Sequence, residues 1–166
     1  ARDMDFVERL MGELAERGIR VNVDTCGYVP WENIQRVLPY TDTFLYDIKV
    51  MDSDLHREMT GAGNEEILDN LIKLSESGAA VWIRIPVVGG VNDTDRNMKE
   101  TLEFLSAHSI MPVWIHLLPY HNTGSGKYPR LGQEYQGRGF TTPSKERMRE
   151  LADMCKKQGF QTEIGG

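Results

Sequence analysis

Apolar positions along the chain change period repeatedly, and each change marks an element. Phe6, Val7, Leu10, Met11 and Leu14 recur at helical spacing, and Gly18 stands where a helix ends. Over 19–24 the pattern alternates, with Ile19, Val21 and Val23 on one face and Arg20, Asn22 and Asp24 on the other. Thr25-Cys26-Gly27 turns the chain, and Pro30 sits in the first turn of a helix carrying Trp31, Ile34, Val37 and Leu38. Thr43-Phe44-Leu45-Tyr46 predicts a buried strand, closed by Asp47-Ile48-Lys49. Residues 53–59 predict a short helix, and Asn64 is placed to cap a clearer one with Ile67, Leu68, Leu71 and Ile72 on its apolar face. Residues 81–88 predict a third strand, handed on by the turn 89–93 to a helix capped by Asp93 or Thr94. Residues 113–118 predict a fourth strand that runs into Pro119-Tyr120-His121. The segment 122–142 is rich in Gly, Tyr and Pro without periodicity, and a loop that long in a compact domain is more often functional than idle. Met148, Leu151, Ala152 and Cys155 mark a last helix, followed by a final extended piece at 160–164.

Strands alternating with helices of similar length mean parallel βα units and an α/β fold. The series opens on a helix with no strand before it. Four strands are evident, whereas a closed eight-fold barrel takes about 250 residues. The expected fold is the later part of a larger wound sheet with its N-terminal strands missing, organised as one domain over residues 1–166. The polar face Arg20, Asn22, Asp24 fits that picture. Parallel strands normally bury both faces in apolar contacts, so here one face would line a polar lumen.

Composition narrows the partners more than the fold. The net charge is −6, from 19 basic and 25 acidic residues with no basic tract, which excludes a phosphate-tracking nucleic-acid surface. No apolar run reaches membrane-spanning length and no signal peptide is visible, so a cytoplasmic protein without membrane contact is expected. Cys26 and Cys155 form neither a disulfide framework nor a cysteine-cluster motif, which suits a reducing compartment.

The candidate chemistry lies at strand ends: Asp24, Asp47 with Lys49, Arg84, and His121. Each alone has an ordinary reading as a turn residue, a local ion pair, a carboxylate partner or a solvated loop histidine. Parallel strands, however, bring their C-terminal ends to one rim, where α/β folds place their sites. There Lys and Arg can hold a carboxylate, Asp a hydroxyl or an ammonium, and His can stack or donate. Gly89-Gly90 lacks the flanking pattern of a phosphate loop and reads as a turn. Trp82 and Trp114 read as packing residues, and Cys26 as a plain buried thiol. No serine nucleophile elbow and no HExxH occur, and His116, His121 and the carboxylates lack zinc spacing.

Taken together, Val23-Asp24-Thr25-Cys26-Gly27-Tyr28, Tyr46-Asp47-Ile48-Lys49, Val81-Trp82-Ile83-Arg84 and Leu117-Leu118-Pro119-Tyr120-His121 resemble the glycyl-radical-enzyme activating enzymes. These are radical S-adenosylmethionine (SAM) proteins, of which the pyruvate formate-lyase activating enzyme is the best-known member. Gly126-Lys127-Tyr128 and Glu134-Tyr135 also look like that family, and the resemblance covers nearly the whole chain. It implies a partial (β/α)6 barrel, similar to a TIM barrel. It further implies that Asp47, Ile48, Lys49 and His121 contact SAM with help from Arg84, and that Asp24 and Asp47, with backbone near Thr25, hold a monovalent cation beside it. In such enzymes a [4Fe-4S] cluster donates an electron that cleaves SAM. The 5′-deoxyadenosyl radical then takes a hydrogen from a backbone glycine of the partner glycyl radical enzyme. An electron donor such as flavodoxin or ferredoxin is implied.

The family's CxxxCxxC motif and its Gly-Gly-Glu-Pro segment have no counterpart in these 166 residues and are expected upstream. Cluster ligation needs thiolates that Cys26 and Cys155 do not supply, so the cluster belongs to the intact protein and this chain alone is expected to be silent. Two other readings stand beside the activase: a Schiff-base lyase using Lys49, and a non-catalytic binding domain. An unpaired edge at 19–24 also leads us to expect self-association of the isolated chain.

Overall fold

The computed structural model describes residues 3–121 and 140–165. Five strands form one sheet in chain order: β1 (Asn22–Thr25), β2 (Thr43–Asp47), β3 (Val81–Val87), β4 (Trp114–Pro119) and β5 (Thr162–Ile164). Every neighbouring pair is parallel. The helices are α1 (Met4–Glu16), α2 (Trp31–Val37), α3 (Ser53–Thr60), α4 (Glu65–Glu76), α5 (Asp95–Ala107) and α6 (Lys145–Lys157). Side-chain oxygens of Asp3, Asp52, Thr94 and Ser144 accept from the first-turn amides of α1, α3, α5 and α6.

Three expectations need correction. The strand expected over 19–24 begins only at Asn22, because the Ile19 amide is taken by the Leu14 carbonyl at the end of α1 and Val21 is held by Asp42. Ile48 and Lys49 lie beyond β2; the Ile48 amide makes one last bond to the Arg84 carbonyl at 2.9 Å. The extended piece at 160–164 contains a fifth strand, which pairs Thr162 with Ile115 and Ile164 with Leu117. The segment 122–139, with Gly126-Lys127-Tyr128 and Glu134-Tyr135, lies outside the described residues. After it, Thr141 forms an antiparallel bridge with Gly89.

The sheet has two unlike faces. Phe44, Tyr46, Ile83, Ile85, Ile115 and Leu117 point under the helices, against Leu71, Leu74, Leu102, Leu105 and Leu151, all essentially without solvent access. Each such side chain contributes about 1.5–3 kcal/mol of burial, so this face carries the stability. The opposite face presents Asp24, Asp47, Trp82, Arg84 and Trp114, none of them fully buried. Cys155 is a core thiol 3.5 Å from the Met98 sulfur, and burial pushes its pKa up to about 11. No helix among the described residues is long and apolar enough to cross a membrane. The outer edge of β1 pairs with no strand among the described residues.

Candidate functional site

Register places the polar face. Asp47 lies beside Arg84, Arg84 beside His116, and His116 beside Glu163, one row running across β2 to β5. Asp24 sits one step back, beside Leu45. The guanidinium of Arg84 is long enough to span β2. Its Nε donates to Asp47 Oδ1 at 2.8 Å, its Nη1 donates to Asp24 Oδ2 at 2.8 Å, and its Nη2 reaches both carboxylates. Burial disfavours the charged guanidinium, but its hydrogen bonds to Asp24 and Asp47 outweigh that and raise the Arg84 pKa further above its ordinary value. The Lys49 ammonium stands 3.7 Å from the other oxygen of Asp47, with 37% of its side chain exposed. Two cations and two anions therefore share one rim.

The remaining predicted residues are placed less uniformly. His121 follows β4 at the same end of the sheet as Lys49, but it is exposed in a separate cleft of about 380 Å³ with Pro119, Pro143 and Ile164. Ile48 is buried in the core, which leaves only its backbone available to a ligand. Thr25 lies on the face opposite Asp24 and spends its hydroxyl accepting from the Gly27 amide at 2.9 Å. Lys49 opens onto a second cleft of about 350 Å³, bounded by Cys26, Tyr28 and His56. His56 is itself buried, with Nδ1 2.7 Å from the Ala62 carbonyl.

Sequence reasoning missed two parts of the site. Trp82 and Trp114 are not under the helices; with His116 between them, at ring distances of 5.3 and 6.0 Å, they tile the polar face next to Arg84. The spacing Trp114, His116, Leu118 carried that signal, since alternate strand residues share a face. Four buried asparagines are the other part. Asn64, expected to cap α4, makes no capping bond and donates instead to the Val50 and Met51 carbonyls. Asn70 holds the turn after β1 through the Gly27 and Val29 carbonyls. Asn92 and Asn97 act on the segment after Lys49.

Residues 2–105 match the profile of the Radical SAM superfamily. The chain belongs to that superfamily. Among its radical SAM relatives, the trans-4-hydroxy-L-proline dehydratase activating enzyme of Clostridioides difficile is 44% identical over all of this chain and 55% of its own length. The choline trimethylamine-lyase activating enzyme of Oleidesulfovibrio alaskensis is 36% identical over 93% of this chain and 51% of its own length. A solved domain of pyruvate formate-lyase-activating enzyme from Bacteroides vulgatus superposes with a TM-score of 0.84 at 29% identity, covering 98% of this chain and 91% of that one. These homologues are glycyl-radical-enzyme activating enzymes, as the sequence motifs led us to expect, and the sheet matches the partial radical SAM barrel. The chain spans about half the length of the curated relatives it matches.

The radical SAM rim suits a zwitterionic, hydroxylated ligand: Arg84 and Lys49 offer donors to a carboxylate, Asp47 and Asp24 accept from an ammonium or ribose hydroxyls. Arg84 fills the gap between Asp24 and Asp47, and among the described residues no three histidines, cysteines or carboxylates gather as metal ligands. Cluster ligation has no support here either, since Cys155 is sealed in the core and Cys26 stands apart from it.

Proposed function

We propose that the intact protein is a radical SAM activating enzyme that installs a backbone glycyl radical on a partner enzyme, and that residues 1–166 supply part of its SAM site. The cluster and SAM, when bound, supply one-electron cleavage of a sulfur–carbon bond and removal of one hydrogen atom from a glycine of the partner. What these residues do is bind and orient. Asp47, Lys49 and Arg84 fix the polar groups of SAM, Asp24 sets the pose of Arg84, and His121 contributes from the end of β4, at the same end of the sheet. The observation that carries this reading is the Asp24–Arg84–Asp47 bridge with Lys49 beside it, on the rim where a radical SAM sheet ends. Lys49 is partly exposed and faces a carboxylate, not the desolvated pocket that Schiff-base chemistry needs.

The relatives support a narrower reading of the partner. Identity of 44% to a hydroxyproline dehydratase activating enzyme, against 29% to the pyruvate formate-lyase-activating domain, favours a glycyl radical dehydratase as partner. A flavodoxin or ferredoxin is the reductant.

The test uses the full-length protein reconstituted anaerobically with iron and sulfide. With dithionite and SAM it should release 5′-deoxyadenosine, detected by chromatography, and give a glycyl radical signal by electron paramagnetic resonance on a dehydratase but not on pyruvate formate-lyase. Residues 1–166 alone should release none. Cluster-loaded protein that leaves SAM intact would overturn the reading, and a signal on pyruvate formate-lyase alone would overturn the partner class.

A further inference from the structure

Beyond Asp47 the β2–β3 ladder stops, yet the chain stays buried. Ile48 and Val50 are 2% and 5% exposed. After the Ile48 amide, backbone groups there have lost their strand partner, and a buried carbonyl left unpaired costs about 1–3 kcal/mol. Three asparagine side chains from three different elements take over. Asn92, in the turn after β3, donates through Nδ2 to the Lys49 carbonyl at 2.6 Å and to the Pro86 carbonyl at 2.7 Å. Its Oδ1 accepts from the Val88 amide at 2.7 Å. Asn97, on α5, accepts from the Met51 amide at 2.9 Å, and Asn64 donates to the Val50 and Met51 carbonyls at 2.9 and 2.8 Å.

A carboxamide has two donors and one acceptor group, and Asn92 uses all of them. Aspartate of the same shape has nothing to donate to a carbonyl, and serine has one donor. Asn92 is 3% exposed and ties the end of the Lys49 segment to the end of β3, the strand that bears Arg84. The lengths of those two rim segments are thus fixed to one another by a single side chain.

We infer that Asn92, supported by Asn97 and Asn64, is a positioning residue for Lys49: it casts the backbone 49–51 so that the ammonium projects from a fixed point beside Asp47. Its purpose in cofactor binding rests on the proposed function; the clamp itself does not. Two measurements on the full-length protein separate them. In hydrogen–deuterium exchange, Asn92→Ala should speed exchange over residues 48–52 by about tenfold or more while β3 and α5 stay protected. Unchanged exchange there, or equal acceleration throughout the protein, would overturn the inference. In SAM titration of the cluster-loaded protein, Asn92→Ala should weaken affinity about tenfold in the wild-type background and less than about twofold on top of Lys49→Met. An equal loss in both backgrounds would mean that Asn92 acts on the fold rather than through Lys49, and would overturn the inference. If Lys49→Met alone leaves affinity unchanged, the role of Lys49 in cofactor binding fails while the exchange result still decides the clamp. Asn97→Ala, which removes the acceptor for Met51 and the donor to the Asn92 carbonyl but leaves the bonds of the Asn92 side chain in place, carries the same expectations should Asn92→Ala not fold.

Discussion

Replacing Arg84 with methionine is expected to destabilise the protein by about 2–3 kcal/mol. Removing one partner of a fully buried pair costs about 3–5 kcal/mol, because the other charge is left without compensation. Here Arg84 and Asp47 are each 19% exposed, so water recovers part of that penalty. Asp24 is 63% exposed and adds little. The two carboxylates are thus expected to be unequal despite their shared guanidinium: Asp24→Asn should cost under about 1 kcal/mol. Urea unfolding of the variants measures both. The pair Asp47→Leu with Arg84→Met should lose less than the sum of its single changes, by at least about 1 kcal/mol. Additive losses would show that the bridge contributes nothing as a unit.

Gly27→Ala is expected to cost more, about 3–4 kcal/mol, in the same assay. Gly27 has a φ of +73°, where a side chain is strained, and an added Cβ would stand 1.7 Å from the Tyr46 hydroxyl. Tyr46 has no exposed surface and its hydroxyl donates to the Ile67 carbonyl at 2.7 Å, so the ring has nowhere to go. The turn is equally fixed, with the Gly27 carbonyl held by Asn70 at 2.9 Å. Gly18→Ala separates the two causes: its φ is +70° but nothing lies within 4 Å, so strain alone should cost about 1–2 kcal/mol. Similar losses at the two glycines would remove the steric contribution. A shift of Gly27 would also move Cys26 and Tyr28, which bound the cleft beside Lys49.

Much of the architecture was legible because long helices and apolar strands have distinct periods. The parallel order of β1 to β4 follows from their alternation with helices, and charges breaking the apolar run at Asp47 and Lys49 marked the rim. β5 was harder to recognise, since three residues are too few for a period to show. The contact between Arg84 and Asp24 depends on strand register and on the reach of one side chain across β2, neither of which is written in local sequence. Asn64, Asn70, Asn92 and Asn97 were hidden for another reason. Asparagine is common in turns and caps, so an asparagine that satisfies buried carbonyls from a distance looks no different from one that faces water. Only the burial of all four distinguishes them. The Arg84 bridge between Asp24 and Asp47 shows the same limit, because nothing in the spacing of the two carboxylates reveals that one arginine reaches both.

The central claim is that this rim holds SAM through the charges at Asp47, Lys49 and Arg84. Titration of SAM into full-length, cluster-loaded protein and its Lys49→Met variant under anaerobic conditions tests it most directly. Loss of a charge-assisted hydrogen bond at a cofactor carboxylate should weaken binding at least about tenfold, with thermal stability nearly unchanged because Lys49 is partly exposed. Equal affinities for the two proteins would contradict the claim.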